Sequence, residues 1–171
     1  MRKLLLIIVI LCGFHKGHAQ FYYEGEIGGI VSSYTDGEKK EHQVTVGGIN
    51  FRGGIGVHDE DDIVFLGLYS GMDGNWRHQM GILPVYLNAR VGLPLSETSR
   101  IYFGFGYGKS YQIGSENLHG FLRKYTISFS GKEEDGNRAG IFLEINNHGF
   151  NFIDDHNRVI TLNIGFTFTF L

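Results

Sequence analysis

Apolar and polar residues alternate with a period of two over most of the chain, and the alternation is cleanest at its end. From Ile160 to Phe170 every even position is large and apolar, and every odd one is small or polar. A period of two puts Ile160, Leu162, Ile164, Phe166, Phe168 and Phe170 on one face of a β-strand. Its length matches the roughly 9–11 tilted residues that cross a bilayer as a strand. No window of useful length shows apolar spacing at i, i+3 and i+4, so helices are not expected.

The same reading divides the rest of the chain into seven more strands with short polar breaks between them. Strand one, Phe21 to Tyr34, sets Tyr23, Ile27 and Val31 against Glu24, Glu26 and Gly28. Strand two, Gln43 to Val57, changes phase: Val44 and Val46 are even, Ile49, Phe51, Ile55 and Val57 odd. A β-bulge near Gly47-Gly48 is expected there, since one extra residue flips the alternation. Strand three, Ile63 to Met72, opens on an apolar run that leaves its facing ambiguous. Strand four sets Leu83, Val85, Leu87, Ala89, Val91 and Leu93 against Pro84, Tyr86, Asn88, Arg90 and Gly92. Strand five alternates Ile101, Phe103, Phe105 and Tyr107 with Tyr102, Gly104, Gly106 and Gly108. Strands six and seven set Tyr125, Ile127, Phe129 and Ile141, Leu143, Ile145 against Lys124, Thr126, Ser128 and Phe142, Glu144, Asn146.

Alternation does not say whether the apolar face meets lipid or a core, because a secreted lipocalin-like barrel would alternate too. What fills the other face decides. A water-facing surface should be rich in Lys, Glu and Asp. Here that face is mainly Gly, Thr, Asn, Ser and Tyr, with a few charges of both signs. Small residues suit the tight interior of an eight-stranded barrel. The apolar face is nearly free of charge, as a lipid face must be. The expected fold is all-β: an eight-stranded antiparallel transmembrane β-barrel.

The first residues add a destination. Met1-Arg2-Lys3, an apolar run from Leu4 to Phe14, and His15-Lys16-Gly17-His18-Ala19 have the layout of a signal peptide, cleaved after Ala19. Residues 1–19 are the expected leader and residues 20–171 the barrel domain. Leu11 stands where a lipoprotein would need a small residue before Cys12. Losing Arg2, Lys3 and Lys16 moves the net charge from −3 to −6 and removes the only cysteine. The mature chain then forms no disulfide, and its acidity without a basic stripe excludes nucleic acid.

Ile82 to Arg90, the stretch Tyr102-Phe103-Gly104-Phe105-Gly106-Tyr107-Gly108, and Ile164 to Leu171 resemble small outer-membrane β-barrel proteins of the OmpX and OmpA-barrel type. The likeness is strongest to versions widespread in Bacteroidetes and covers essentially the whole mature chain. It implies residence in the bacterial outer membrane, contact with outer-membrane lipid and lipopolysaccharide, and engagement of the barrel-assembly machinery through Ile160–Leu171. One departure is the last residue: Leu171 follows Phe170, where the family usually ends on an aromatic. No downstream peptidoglycan-binding domain is expected.

Candidate chemistry is sparse. A lipid A deacylase barrel carries a His and a Ser two positions apart, and none of the eight histidines has Ser at that spacing. A palmitoyl transferase barrel starts with an amphipathic helix, whereas Tyr22 and Tyr23 already belong to strand one. Catalytic residues, cofactor and metal are therefore all expected to be none. His148, Asp154, Asp155 and His156 match no metal motif and read as solvated loop. Trp76, Tyr22 and Tyr23 read as membrane-interface anchors. The expected role is structural or surface-interacting, with an unknown surface partner. The alternative is a small conduit or ligand carrier for hydrophobic or small solutes.

One constellation stands out. Glu24, Glu26, Arg52, Arg90 and Glu144 all fall on the small-polar faces and should form a charge cluster in the periplasmic half of the lumen. Strands one and two make a hairpin whose paired numbers sum to about 76–78, setting Arg52 across from Glu24 or Glu26. Counting strands from a periplasmic N-terminus puts Asp59–Asp62, Pro94–Ser99 and Lys132–Asn137 in periplasmic turns. Thr35–His42, Asp73–Arg77, Gly114–Leu118 and Gly149–Asn157 then become surface loops.

Overall fold

The computed structural model describes residues 19–35, 47–76, 79–113, 118–150 and 158–171. They form eight strands: β1 Gln20–Thr35, β2 Gly48–His58, β3 Val64–Asn75, β4 Met80–Pro94, β5 Ser99–Ile113, β6 His119–Lys132, β7 Arg138–Phe150 and β8 Arg158–Phe170. Each pairs antiparallel with its sequence neighbours, and β1 pairs with β8 to close the barrel. Closure sets Tyr23 opposite Phe170 and Glu24 opposite Thr169. It leaves no sheet edge, which a strand surrounded by lipid cannot tolerate.

The usual arrangement of a soluble protein is inverted. Ile27, Phe51, Leu87, Phe103, Ile127, Leu143 and Phe166 are exposed on the outside, while Glu24, Arg52, Asn88, Lys124, Glu144 and Asn163 are buried within. Small residues make that interior possible. At Gly106 a Cβ would stand 2.9 Å from the Tyr86 ring, and at Gly54 it would enter the ring of Tyr69. Lumen glycines thus yield their volume to tyrosines on the next strand.

The turns at the N-terminal end are tightly tied. One Asp59 carboxylate oxygen accepts from the backbone N–H of Ile63 and of Val64, both at 2.7 Å. Asp62 takes a positive φ of 54°, and Gly136, in the turn after β6, one of 92°.

Several details depart from the sequence expectations. Asp73 does not break the chain; β3 continues through it to Asn75, and its carboxylate faces inward. Likewise β7 runs on through Gly149 to Phe150. In both cases Asp-Gly-Asn or Asn-His-Gly chemistry suggests a turn, while pairing on both flanks holds the strand. The phase change of strand two involves Val44 and Val46, which lie outside the described residues. A register shift does occur between Ile30 and Ser32 of β1, against β8.

Candidate functional site

The charge cluster in the lumen is built from the inward positions of six strands. β1 supplies Glu24 and Glu26, β2 Arg52, β3 Asp73, β4 Arg90, β6 Lys124 and β7 Glu144. The β1–β2 register pairs Glu26 with Arg52, so the paired numbers sum to 78 as the hairpin loop requires.

Arg90 forms the lower node. Its Nη2 lies 2.6 Å from Glu24 Oε2. Thr169 donates to the same carboxylate at 2.6 Å, and Tyr69 donates at 2.8 Å. Because Tyr69 gives its only hydroxyl proton to Glu24, the 3.0 Å contact with Tyr22 makes Tyr22 the donor there. The guanidinium carbon sits 4.8 Å from the Phe65 ring centre and 5.6 Å from that of Tyr102, a cation–π environment.

Lys124 and Arg52 form the upper node around Glu144. Lys124 Nζ donates to both oxygens of Glu26, at 2.9 and 2.7 Å, and to Tyr86 at 3.2 Å, and stands 2.9 Å from Glu144 Oε2. Arg52 grips Asp73 with two parallel hydrogen bonds, 2.9 Å from Nε and 2.8 Å from Nη2. Its Nη1 donates to Glu144 Oε1 at 2.6 Å and stands 3.7 Å from Glu26. Asn146 and Asn163 donate to that same Glu144 oxygen at 2.7 and 2.8 Å. Lys124 is 0% exposed and Glu144 1%. Four carboxylates thus face three cations, and hydroxyl and amide donors complete the solvation of the surplus charge. Buried charges need this density of partners, because desolvation costs several kcal/mol per ion.

Apolar clusters flank the network. Tyr22, Phe65, Tyr69, Tyr86, Tyr102 and Leu122 pack together, with Leu171 against them. Towards the loop end, Ile82, Phe150 and Val159 form a second cluster with Met80 and Leu118. A third polar group ties the turn end: Asp62 lies 3.0 Å from His58 and 3.1 Å from Arg138, and its backbone carbonyl accepts from Tyr102.

The structure places all five sequence-derived residues inside the lumen. Arg90 meets Glu24 rather than Glu26, while Arg52 meets Glu144 and, more distantly, Glu26. The cluster is not confined to the turn-proximal half, since Asp73 lies near the loop end of β3. Strand tilt in a closed barrel brings together residues at different distances from their own turns. Asp73 and Lys124 were missed as members: one sits in a turn-like Asp-Gly-Asn, and the other's depth depends on a register that local sequence does not set. The signal available for Lys124 was its place on the polar face of strand six.

Two further expectations are corrected. Tyr22 is a buried lumen residue at 1% exposure, not an interface anchor, whereas Phe21, Tyr23 and Trp76 are exposed. Alternation forces this, since neighbours in a strand face opposite ways. His148 is not in a solvated loop but inside β7, where its Nδ1 is 2.7 Å from the Ser110 hydroxyl and its Nε2 3.6 Å from Asp73. Asp154, Asp155 and His156 lie outside the described residues. Among the described residues no three His, Cys, Asp or Glu side chains converge as a metal set.

No protein-family model matches the chain, and no curated protein matches it. Solved structures do. The crystal structure of Neisserial surface protein A is 12% identical, with a TM-score of 0.65, covering 88% of this chain and 97% of that one. The crystal structure of the outer membrane protein OprG from Pseudomonas aeruginosa is 13% identical, with a TM-score of 0.51, covering 91% of this chain and 97% of that one. These likenesses show that the chain has the fold of small eight-stranded outer-membrane β-barrels.

Proposed function

We propose that the chain is an integral protein of the bacterial outer membrane whose lumen is closed by its own side chains. Its role on this reading is structural or surface-interacting, without catalysis. The observation that carries this is the network of Arg52, Arg90 and Lys124 with Glu24, Glu26, Asp73 and Glu144, which crosses the lumen between apolar clusters. A barrel of eight strands has an interior just wide enough for side chains. Here the side chains are hydrogen-bonded to one another rather than lining a passage.

Residues 1–19 serve as the export leader, cut after Ala19, and Ile160–Leu171 present the terminal strand to the barrel-assembly machinery. The short turns at the N-terminal end face the periplasm, and the loops face outward among lipid and lipopolysaccharide. The apolar exterior supports this placement: Phe51, Leu68, Leu87, Phe105 and Phe166 on the outside would leave a soluble protein covered in exposed hydrocarbon.

Conductance in a planar bilayer tests the closed lumen. The wild-type protein should give no ion steps above the bare membrane. Reproducible unitary currents from purified, folded protein would support the small conduit instead.

A further inference from the structure

The outward faces of the described strands are almost free of charge, and the exceptions share one sign and one place. All four strand carboxylates, Glu24, Glu26, Asp73 and Glu144, are buried in the lumen. Lys109 of β5, Arg123 of β6 and Arg158 of β8 are exposed outward. The registers join Lys109 to Phe121, Phe121 to Gly149 and Gly149 to Arg158 in one row across four adjacent strands. Arg123 occupies the next outward position below Phe121, paired with Asn147. The row spans three strand spacings, about 14 Å. Among the described residues β1 to β4 carry no outward charge at all.

This wall is organised, not a scatter of surface lysines. The Phe121 ring lies over Gly149, whose missing side chain leaves the room for it. The Arg123 guanidinium carbon is 4.9 Å from the centre of that ring. Exposed Tyr107 pairs with Arg123, exposed Tyr125 takes the next outward position below Arg123 on β6, and exposed Tyr111 pairs with His119 at the rim. Among the described residues no carboxylate stands within ion-pair distance of the three cations. The acids outside the lumen that are described, Asp59, Glu60, Asp61, Glu97, Glu133, Glu134 and Asp135, all belong to turns at the opposite end.

Long cationic side chains near a bilayer rim can snorkel singly into water. Snorkelling does not explain why they cluster on one wall or why one is stacked on an aromatic platform. We propose that Lys109, Arg123 and Arg158 form a binding site for the phosphorylated headgroup of a lipid in the leaflet around the loop end. Guanidinium groups suit phosphate because they present paired donors. The tyrosines and Phe121 cover the upper parts of the acyl chains. The site rests on the membrane-barrel reading above and is independent of how the lumen is filled.

The test uses the protein refolded in zwitterionic detergent micelles, with folding followed by heat-modifiable gel mobility. A diphosphorylated, acylated glucosamine disaccharide and its dephosphorylated form are titrated in turn, and retained lipid is read by native mass spectrometry. The wild type should retain the phosphorylated lipid and not the other. Arg123→Gln should weaken retention about tenfold, the loss of one charge-assisted contact, and Arg123→Lys less. The combined K109Q/R123Q/R158Q variant should abolish it; should that variant not fold, the single substitution decides. Equal retention of both lipids, undiminished retention by folded variants, or full displacement by inorganic phosphate would overturn the lipid site. A wild type that folds but does not discriminate defeats this site alone, whereas one that will not fold in micelles defeats the membrane reading with it.

Discussion

Lys124 holds the most demanding position in the molecule: a fully buried ammonium between Glu26, Glu144 and the Tyr86 hydroxyl. Lys124→Met keeps much of the side-chain volume and removes the charge, leaving two carboxylates facing each other. Removing one partner of a buried ion cluster costs about 3–5 kcal/mol. Urea unfolding from lipid vesicles should show a loss of that size, and adding Glu26→Gln should restore part of it. A neutral Lys124→Met would mean that the ammonium is solvated in some other way. Glu24, Glu26, Arg52, Arg90 and Glu144 could be assigned inward from sequence because each sits on an unambiguous small-polar face. Asp73 could not, since Asp73-Gly74-Asn75 has the composition of a turn.

Strands show the same contrast between what is local and what is not. The facing of strands four to eight follows from alternation alone, and β8 carries Ile164, Phe166, Phe168 and Phe170 outward as the period demands. Strand three did not declare its phase, because its Ile-Val-Phe-Leu opening puts apolar groups on both faces; pairing with β2 and β4 turns Phe65 and Tyr69 inward. Sheet register between distant strands, which brings β6 and β7 to the residues of β1 and β2, has no local signature. If the outward face of β8 meets lipid, a charge there should cost more with depth. Phe166→Arg, mid-strand, should destabilise by about 2–4 kcal/mol and Phe170→Arg, at the strand end, by about 0–1 kcal/mol. Equal costs in a vesicle unfolding titration would argue that this face meets water.

At the scale of the whole molecule, the barrel reverses the soluble pattern: its exterior is hydrocarbon and its core is a hydrogen-bonded ionic network. Such a core fixes geometry more than it adds stability, since a buried pair contributes little net free energy yet tolerates few alternative arrangements. Strands β2 and β7 are not neighbours in the sheet, and they meet only through the lumen, where Arg52 Nη1 and Glu144 Oε1 stand 2.6 Å apart. The most direct measurement of a closed lumen is therefore a double-mutant cycle on Arg52→Met and Glu144→Gln, read by unfolding from lipid vesicles. A network that crosses the barrel predicts a coupling energy of about 1–3 kcal/mol between these two positions. Additivity within about 0.5 kcal/mol would mean that the two side chains do not meet, and would contradict the closed lumen.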